Sequence, residues 1–92
     1  MSLNEKTGLE LLKAMMTGDI PKASMADTMP SELIHAEEGL VRFLVTADER
    51  HLNPMGGVHG GFSATVLDTV TGCAVQSVLE PGVKYTTINL NV

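Results

Sequence analysis

The chain has 92 residues, a formal net charge of −5 at pH 7 and a single cysteine, Cys73. A chain of this length forms one small domain at most, and it buries only about 60–65% of its unfolded surface, so we expect it to need support such as a second subunit. A single cysteine excludes an internal disulfide and is typical of a reducing compartment. The acidic balance excludes the basic stripe with which proteins bind nucleic acid.

Signals for targeting or membrane insertion are not found in the sequence. No basic segment followed by an apolar run opens the chain, and no stretch of about 20 uninterrupted apolar residues occurs. We therefore expect a soluble, cytoplasmic protein without a membrane partner.

The N-terminal segment is predicted to be an amphipathic helix over residues 4–17. The spacing from Ser2 to Glu5 is that of a capping box. Gly18 is typical of the residue that ends a helix. The apolar residues recur at helical spacing: Leu9, Leu12 and Met16.

The middle of the chain is predicted to be a connection followed by a hairpin. Residues 19–31 contain two prolines and several small polar residues, which are typical of a connecting segment. From Glu32, two short strand-like runs flank Glu38 and Gly39. Every second residue of the later run is apolar, which predicts one inward face: Val41, Phe43 and Val45.

Residues 60–79 are predicted to form a long helix. The segment is apolar and almost uncharged, as is typical of a buried helix, and Pro81 is a stop signal beyond it. Its Thr and Val content makes a strand the competing assignment, but the run is far longer than a usual strand of roughly 3–10 residues. Alternating Ile, Leu and Val predict a strand over residues 84–92.

The glycine-rich run from Asn53 to Gly61 is the most informative stretch, because Asp68 follows it on the predicted helix. Glycines let the backbone approach a ligand closely, and the unpaired N–H groups at the start of a helix are hydrogen-bond donors. Such donors can hold a carbonyl oxygen as it becomes an oxyanion. A carboxylate near them can serve as the base.

Metal and nucleotide sites are disfavoured by the same stretch. His51 and His59 are eight residues apart on a predicted loop and have no cysteine cluster beside them, which does not resemble a zinc or iron site. The glycine run also lacks the Gly-Lys-Ser/Thr ending of a phosphate-binding loop. We expect no metal.

Motifs over residues 40–92 resemble those of the phenylacetic-acid-degradation (PaaI-like) hotdog acyl-CoA thioesterases. The resemblance is carried by three groups of residues: His51-x-Asn53-x-x-x-Gly57-x-His59-Gly60-Gly61, Asp68 with Gly72, and Thr86-Thr87-Ile88-x-Leu90-x-Val92. It implies an α+β hotdog fold, in which an antiparallel sheet wraps a long central helix. Because family members continue for several further strands, the resemblance also implies that residues 1–92 are a single, C-terminally incomplete hotdog domain.

The resemblance implies hydrolysis of acyl-CoA or aryl-CoA thioesters to free acid and coenzyme A. Asp68 matches the family's nucleophile or general base, and Gly60 matches the residue whose N–H polarises the thioester carbonyl. Eight helical positions separate the two by about 12 Å, whereas reacting atoms must come within about 3–3.5 Å. Two antiparallel helices from two protomers would meet this need, so we expect a homodimer or a dimer of dimers.

The remaining site residues follow from the same resemblance. Asn53 and His59 match groups that position water or substrate, and Thr87 falls where some members place a hydroxyl that assists the attacking water. Coenzyme A would enter as part of the substrate, with Gly61 and Lys84 as contacts, and no other cofactor is implied. An acidic chain needs a local positive charge for such a polyanion, which Lys84 or Arg50 would supply.

Two other functions stay open. A hotdog hydratase acting on enoyl thioesters pairs a histidine with an acid for proton transfer at carbon, and the His59-Gly60-Gly61 context fits hydrolysis better. A non-catalytic acyl-CoA-binding hotdog protein would hold the thioester without cleaving it. In that case Asp68→Asn would leave its behaviour unchanged.

Overall fold

A computed structural model describes residues 3–91, which form a mixed α+β structure. Two 3-10 turns, Leu3–Glu5 and Glu49–His51, accompany helices and strands in the order α1 Gly8–Thr17, α2 Met25–Thr28, β1 Ser31–Glu37, β2 Leu40–Val45 and α3 Gly60–Gln76. The two strands form one antiparallel sheet. The predicted connection over residues 19–31 contains the short helix α2, and the α+β class is confirmed.

Helix α1 begins later than predicted, because Thr7 caps it. The Thr7 Oγ1 accepts a hydrogen bond from the Glu10 N–H at 3.1 Å, and the Glu10 carboxylate accepts one from the Thr7 N–H at 2.9 Å. This reciprocal pair is a capping box. The predicted box from Ser2 to Glu5 has its first residue outside the described part of the chain, and Glu5 lies in a 3-10 turn. Gly18 ends the helix as predicted, with a φ of 84°.

Strands β1 and β2 form the predicted hairpin, joined by Glu38 and Gly39. Val41 is buried and Phe43 is half-buried. Leu44, which lies between Phe43 and Val45 and points to the other side of the strand, is 58% exposed. The alternation of the second run therefore places one face of the sheet against the rest of the chain, as predicted.

The core lies between the hairpin, α1 and α3. Its buried residues are Leu12, Ala36 and Val41. At the end of α3, the buried Ser77 hydroxyl donates to the Ala74 carbonyl at 2.6 Å and accepts from the Gly39 N–H at 2.8 Å. This hydroxyl ties the hairpin turn to the end of α3. The partly buried residues around the core are Leu9, Met15, Leu33, Phe43, Val70, Cys73 and Ala74.

The start of α1 touches the end of α3 at Gly8. The Gly8 N–H donates to the Leu79 carbonyl at 2.9 Å, and a β-carbon on Gly8 would overlap the Gln76 carbonyl oxygen. Only glycine permits so close an approach of two backbones. The contact explains why the helix starts here and fixes α1 across the end of α3.

Helix α3 is shorter and less buried than predicted. It ends at Gln76, and among its residues Gly72 alone is buried. Leu67 and Val75 are 45% and 47% exposed, so the prediction of a buried helix is wrong for this chain. One face packs on the hairpin, whereas the opposite face is contacted by Thr87 at Asp68 and by Tyr85 at Gly72 and leaves Leu67 and Val75 exposed. No helix within residues 3–91 is long and apolar enough to cross a membrane.

Residues 84–91 do not form the predicted strand, and Val92 lies outside the described residues. A strand needs a neighbour with which to exchange backbone hydrogen bonds, and within the described chain residues 84–91 pair with neither β1 nor β2. The segment is exposed. It contacts α3 through the side chains of Tyr85 and Thr87.

Candidate functional site

The glycine run forms a closed loop that Asn53 holds together. Its Oδ1 accepts hydrogen bonds from the N–H groups of Met55 and Gly57 at 3.0 and 3.1 Å. The Asn53 N–H donates to the Gly57 carbonyl at 2.7 Å, and the His59 N–H donates to the His51 carbonyl at 2.7 Å. These N–H groups already donate to acceptors within the loop. They are therefore not available to a ligand, although the glycine-rich sequence predicted several open donors here.

His59 caps the start of α3 and leaves one open donor there. Its Nδ1 accepts a hydrogen bond from the Gly61 N–H at 2.8 Å, so the neutral ring carries its proton on Nε2. The Gly60 N–H has no acceptor among residues 3–91, and a β-carbon on Gly60 would meet nothing within 4 Å. Gly60 is thus an open N–H at the positive end of the helix dipole.

Asp68 lies in the middle of α3, half-buried, and is joined to Thr87. The Thr87 hydroxyl donates to Asp68 Oδ1 at 2.7 Å across nineteen residues of chain. A hydroxyl-to-carboxylate bond of this length is charge-assisted and stronger than a neutral one. Within residues 3–91 the second oxygen, Oδ2, has no hydrogen-bond partner. The contact brings together two of the predicted site residues.

Tyr85 is a neighbour of this pair that the sequence analysis missed. Its ring lies on Gly72, where a β-carbon would come within 2.6 Å of the Tyr85 Oη. Gly72 lies one turn from Asp68 on α3, and Thr87 lies two residues from Tyr85, so both contacts share one helix face. Burial, followed by the negative charges of Cys73 and Asp68, raises the pKa of Tyr85. The sequence signal that could have identified Tyr85 is its position two residues before Thr87, because alternate residues of an extended segment point to the same side.

The structure does not bring all predicted site residues together. Gly60 and Asp68 are both on α3, eight positions apart, so about 12 Å of helix axis separates them. Lys84 is exposed and makes no hydrogen bond or ion pair with any residue of the described chain. The open donor, the carboxylate and the lysine are therefore three separate features of the single chain.

The two loop histidines have structural partners. Because His51 Nδ1 accepts from the Asp48 N–H at 2.9 Å, its Nε2–H donates to the Thr28 carbonyl at 2.9 Å. His59 caps α3. No cluster of three or more His, Cys, Asp or Glu side chains suited to a metal ion is found between residues 3 and 91.

Comparison with known proteins gives no match. No protein-family model, curated protein or solved structure is similar to this chain. The arrangement of Asp68, Thr87 and Gly60, together with the motif resemblance, is therefore the basis for a functional proposal.

Proposed function

We propose that this protein is a hotdog-type acyl-CoA thioesterase, which hydrolyses a thioester to a free acid and coenzyme A. The observation that carries the proposal is the hydrogen bond from the Thr87 hydroxyl to Asp68 Oδ1 at 2.7 Å. It orients the carboxylate and leaves Oδ2 available for a water molecule or for the substrate carbon.

The proposed reaction uses Asp68 and the Gly60 N–H on opposite sides of one carbonyl group. When water attacks, Asp68 Oδ2 accepts its proton as the water oxygen bonds to the thioester carbon. The electron pair of the carbonyl moves onto its oxygen, which the Gly60 N–H stabilises. Collapse of this intermediate breaks the C–S bond, and the thiolate of coenzyme A leaves and takes up the proton.

Asn53 and His59 are proposed to position the water and the substrate. Their oxygen and Nδ1 atoms hold the loop and the helix start. The Asn53 amide N–H₂ and the His59 Nε2–H have no acceptor among residues 3–91 and remain as donors. The exposed Lys84, on the same segment as Thr87, is proposed to attract the phosphates of coenzyme A. Gly61 is proposed as a second contact through its backbone, although its N–H already donates to His59 Nδ1.

The proposed active unit is a homodimer, because one α3 cannot bring Gly60 and Asp68 to the same carbon. Two antiparallel α3 helices would place Gly60 of one protomer opposite Asp68 of the other. Exposed apolar residues on α3 support this arrangement, since Leu67 and Val75 are 45% and 47% exposed in the single chain. A sheet that extends around both helices, as in the hotdog fold, belongs to the same proposal.

The direct test is release of free thiol from phenylacetyl-, benzoyl- and medium-chain acyl-CoAs. We expect release by the protein and a loss of at least about a hundredfold in Asp68→Asn, since general-base catalysis contributes about 10²–10⁴-fold. The matched control is Asp27→Asn, an exposed carboxylate on α2, which should keep full activity. A folded protein that releases no thiol would contradict the proposal. Hydration of an enoyl-CoA would then favour a hydratase, and binding of acyl-CoA without any reaction would favour a non-catalytic binding protein.

A further inference from the structure

A cavity of about 170 Å³ lies between α1, α2, the hairpin and α3. The wall that α3 contributes runs from Thr65 to Cys73 and does not include Asp68. At 3.6 residues per turn, this wall is centred roughly 130° around the helix from Asp68. The cavity is therefore separate from the proposed hydrolytic site and shares none of its residues.

Methionine side chains form much of the lining. Four of the six methionines of the chain contribute: Met15, Met16, Met25 and Met29. Met16 and Met25 are 40% and 53% exposed, so the cavity opens to the surface beside them. Unbranched, polarisable methionines adapt to guests of irregular shape, and the hairpin adds further apolar atoms through Leu33.

The wall formed by α2 is held in place although this helix has four residues. The His51 Nε2–H donates to the Thr28 carbonyl at 2.9 Å, and the Arg50 guanidinium donates to the Asp27 carbonyl at 3.4 Å. His51 itself is buried, and Asp48 fixes its other nitrogen. The cavity is therefore bounded by anchored elements on both sides and is part of the fold.

Size and charge decide what the cavity can hold. Its lining contains one ammonium group, Lys22, and one carboxylate, Glu32, so it offers no net charge, and an ion would lose its hydration without compensation. A cavity of about 150 Å³ with apolar walls accepts benzene, so the volume here suffices for a guest of that size. We propose that this cavity is a binding site for an uncharged apolar molecule of about the size of benzene.

Cys73 gives a direct readout, because it is the only cysteine and it lines the cavity. Burial raises the pKa of its thiol, so its modification by methyl methanethiosulfonate is slow enough to follow. Toluene at about ten times its Kd should slow this reaction about tenfold, since the free fraction falls in that proportion. Benzoate and benzylammonium carry the same ring with a charge, and they should leave the rate unchanged.

A filled cavity provides the control. Ala26→Phe places a ring in the lining, whereas Val78→Phe adds the same ring at an exposed position outside it. Protection by toluene should disappear in Ala26→Phe and persist in Val78→Phe. If Ala26→Phe does not fold, Thr69→Phe fills the same cavity from α3, and a toluene-dependent rise in Tm of the unmodified protein is the second measurement. Absence of protection, equal protection by benzoate, or protection that survives filling would overturn the proposal.

Discussion

The two faces of α3 consist of different residues and are held in place by different kinds of contact. The face toward the hairpin carries Val66, Val70 and Cys73, which pack on the core or line the methionine cavity. The other face carries Asp68 and Gly72, and an exposed segment lies across it. The first face is held by buried apolar area, whereas the second is held by one close ring contact and one polar pair. An apolar helix is therefore not packed equally on all sides.

The largest effect is expected where the apolar face meets the core. Leu12 is 1% exposed and belongs to the buried core against which Val70 and Ala74 of α3 pack. Leu12→Ala should lower the free energy of unfolding by about 2–5 kcal/mol, because it leaves a cavity in a packed region. Urea unfolding followed by circular dichroism measures this. The control Leu44→Ala, at a position 58% exposed, should stay within about 0.5 kcal/mol, and equal losses would contradict the placement of the core.

On the other face, removal of the Gly60 donor should have the next largest effect. Gly60 is the first residue of α3, and His59 before it has a ψ of 134°, so proline fits this position and removes only the N–H. Gly60→Pro should lower kcat for thioester hydrolysis by about 10²–10³-fold. Gly60→Ala keeps the N–H and adds a methyl group in open space, so it should keep the activity. An equal loss in both variants would indicate a steric cause.

The Thr87 hydroxyl should matter less than the Gly60 donor. Thr87→Val removes the hydrogen bond to Asp68 and should lower kcat about tenfold, with little change in KM, since an exposed charge-assisted bond contributes about 1.5 kcal/mol. Thr87→Ser retains the hydroxyl and should restore most of the rate. Stability should not change, because the position is exposed. A fully active Thr87→Val would remove Thr87 from the site.

The smallest expected effect is on the titration of Tyr85. This is the only tyrosine, and the chain has no tryptophan, so phenolate absorbance reports on it alone. Because the Asp68 charge contributes to its raised pKa, Asp68→Asn should lower the pKa of Tyr85, while burial keeps it above about 10. The folded chain holds this proton more tightly than the unfolded chain, so stability should fall as pH rises above about 10. If the pKa of Tyr85 is the same in Asp68→Asn as in the unmodified protein, Tyr85 does not lie close enough to Asp68 to belong to the site.

Local features of the fold could be predicted from the sequence. The hairpin follows from the Glu38-Gly39 turn and the alternation after it, and the start of α3 follows from the glycine run. The start of α1 was missed because two segments have capping-box spacing, one from Ser2 and one from Thr7. The contact of Gly8 with the end of α3 selects between them, and it is not visible along the chain.

Features that depend on distant partners could not be predicted from pattern alone. Alternation over residues 84–91 predicted a strand, but a strand also requires a neighbour, and within the described chain this segment pairs with none. The motif resemblance named Asp68 and Thr87 separately as site residues, but the hydrogen bond between them is visible only in the structure. Tyr85 was not predicted as a neighbour of Asp68. It packs on Gly72, and a glycine has no side chain whose type could indicate which residue contacts it.

In the proposed homodimer, the Gly60 N–H of one protomer and Asp68 of the other act on the same thioester. The most direct test is to co-refold Gly60→Pro and Asp68→Asn chains and to measure thiol release. Each variant alone should be nearly inactive, whereas random pairing restores one intact site in half of the dimers, so the mixture should regain about a quarter of the activity of the unmodified protein. Dimers that form but regain no activity would contradict a site shared between protomers.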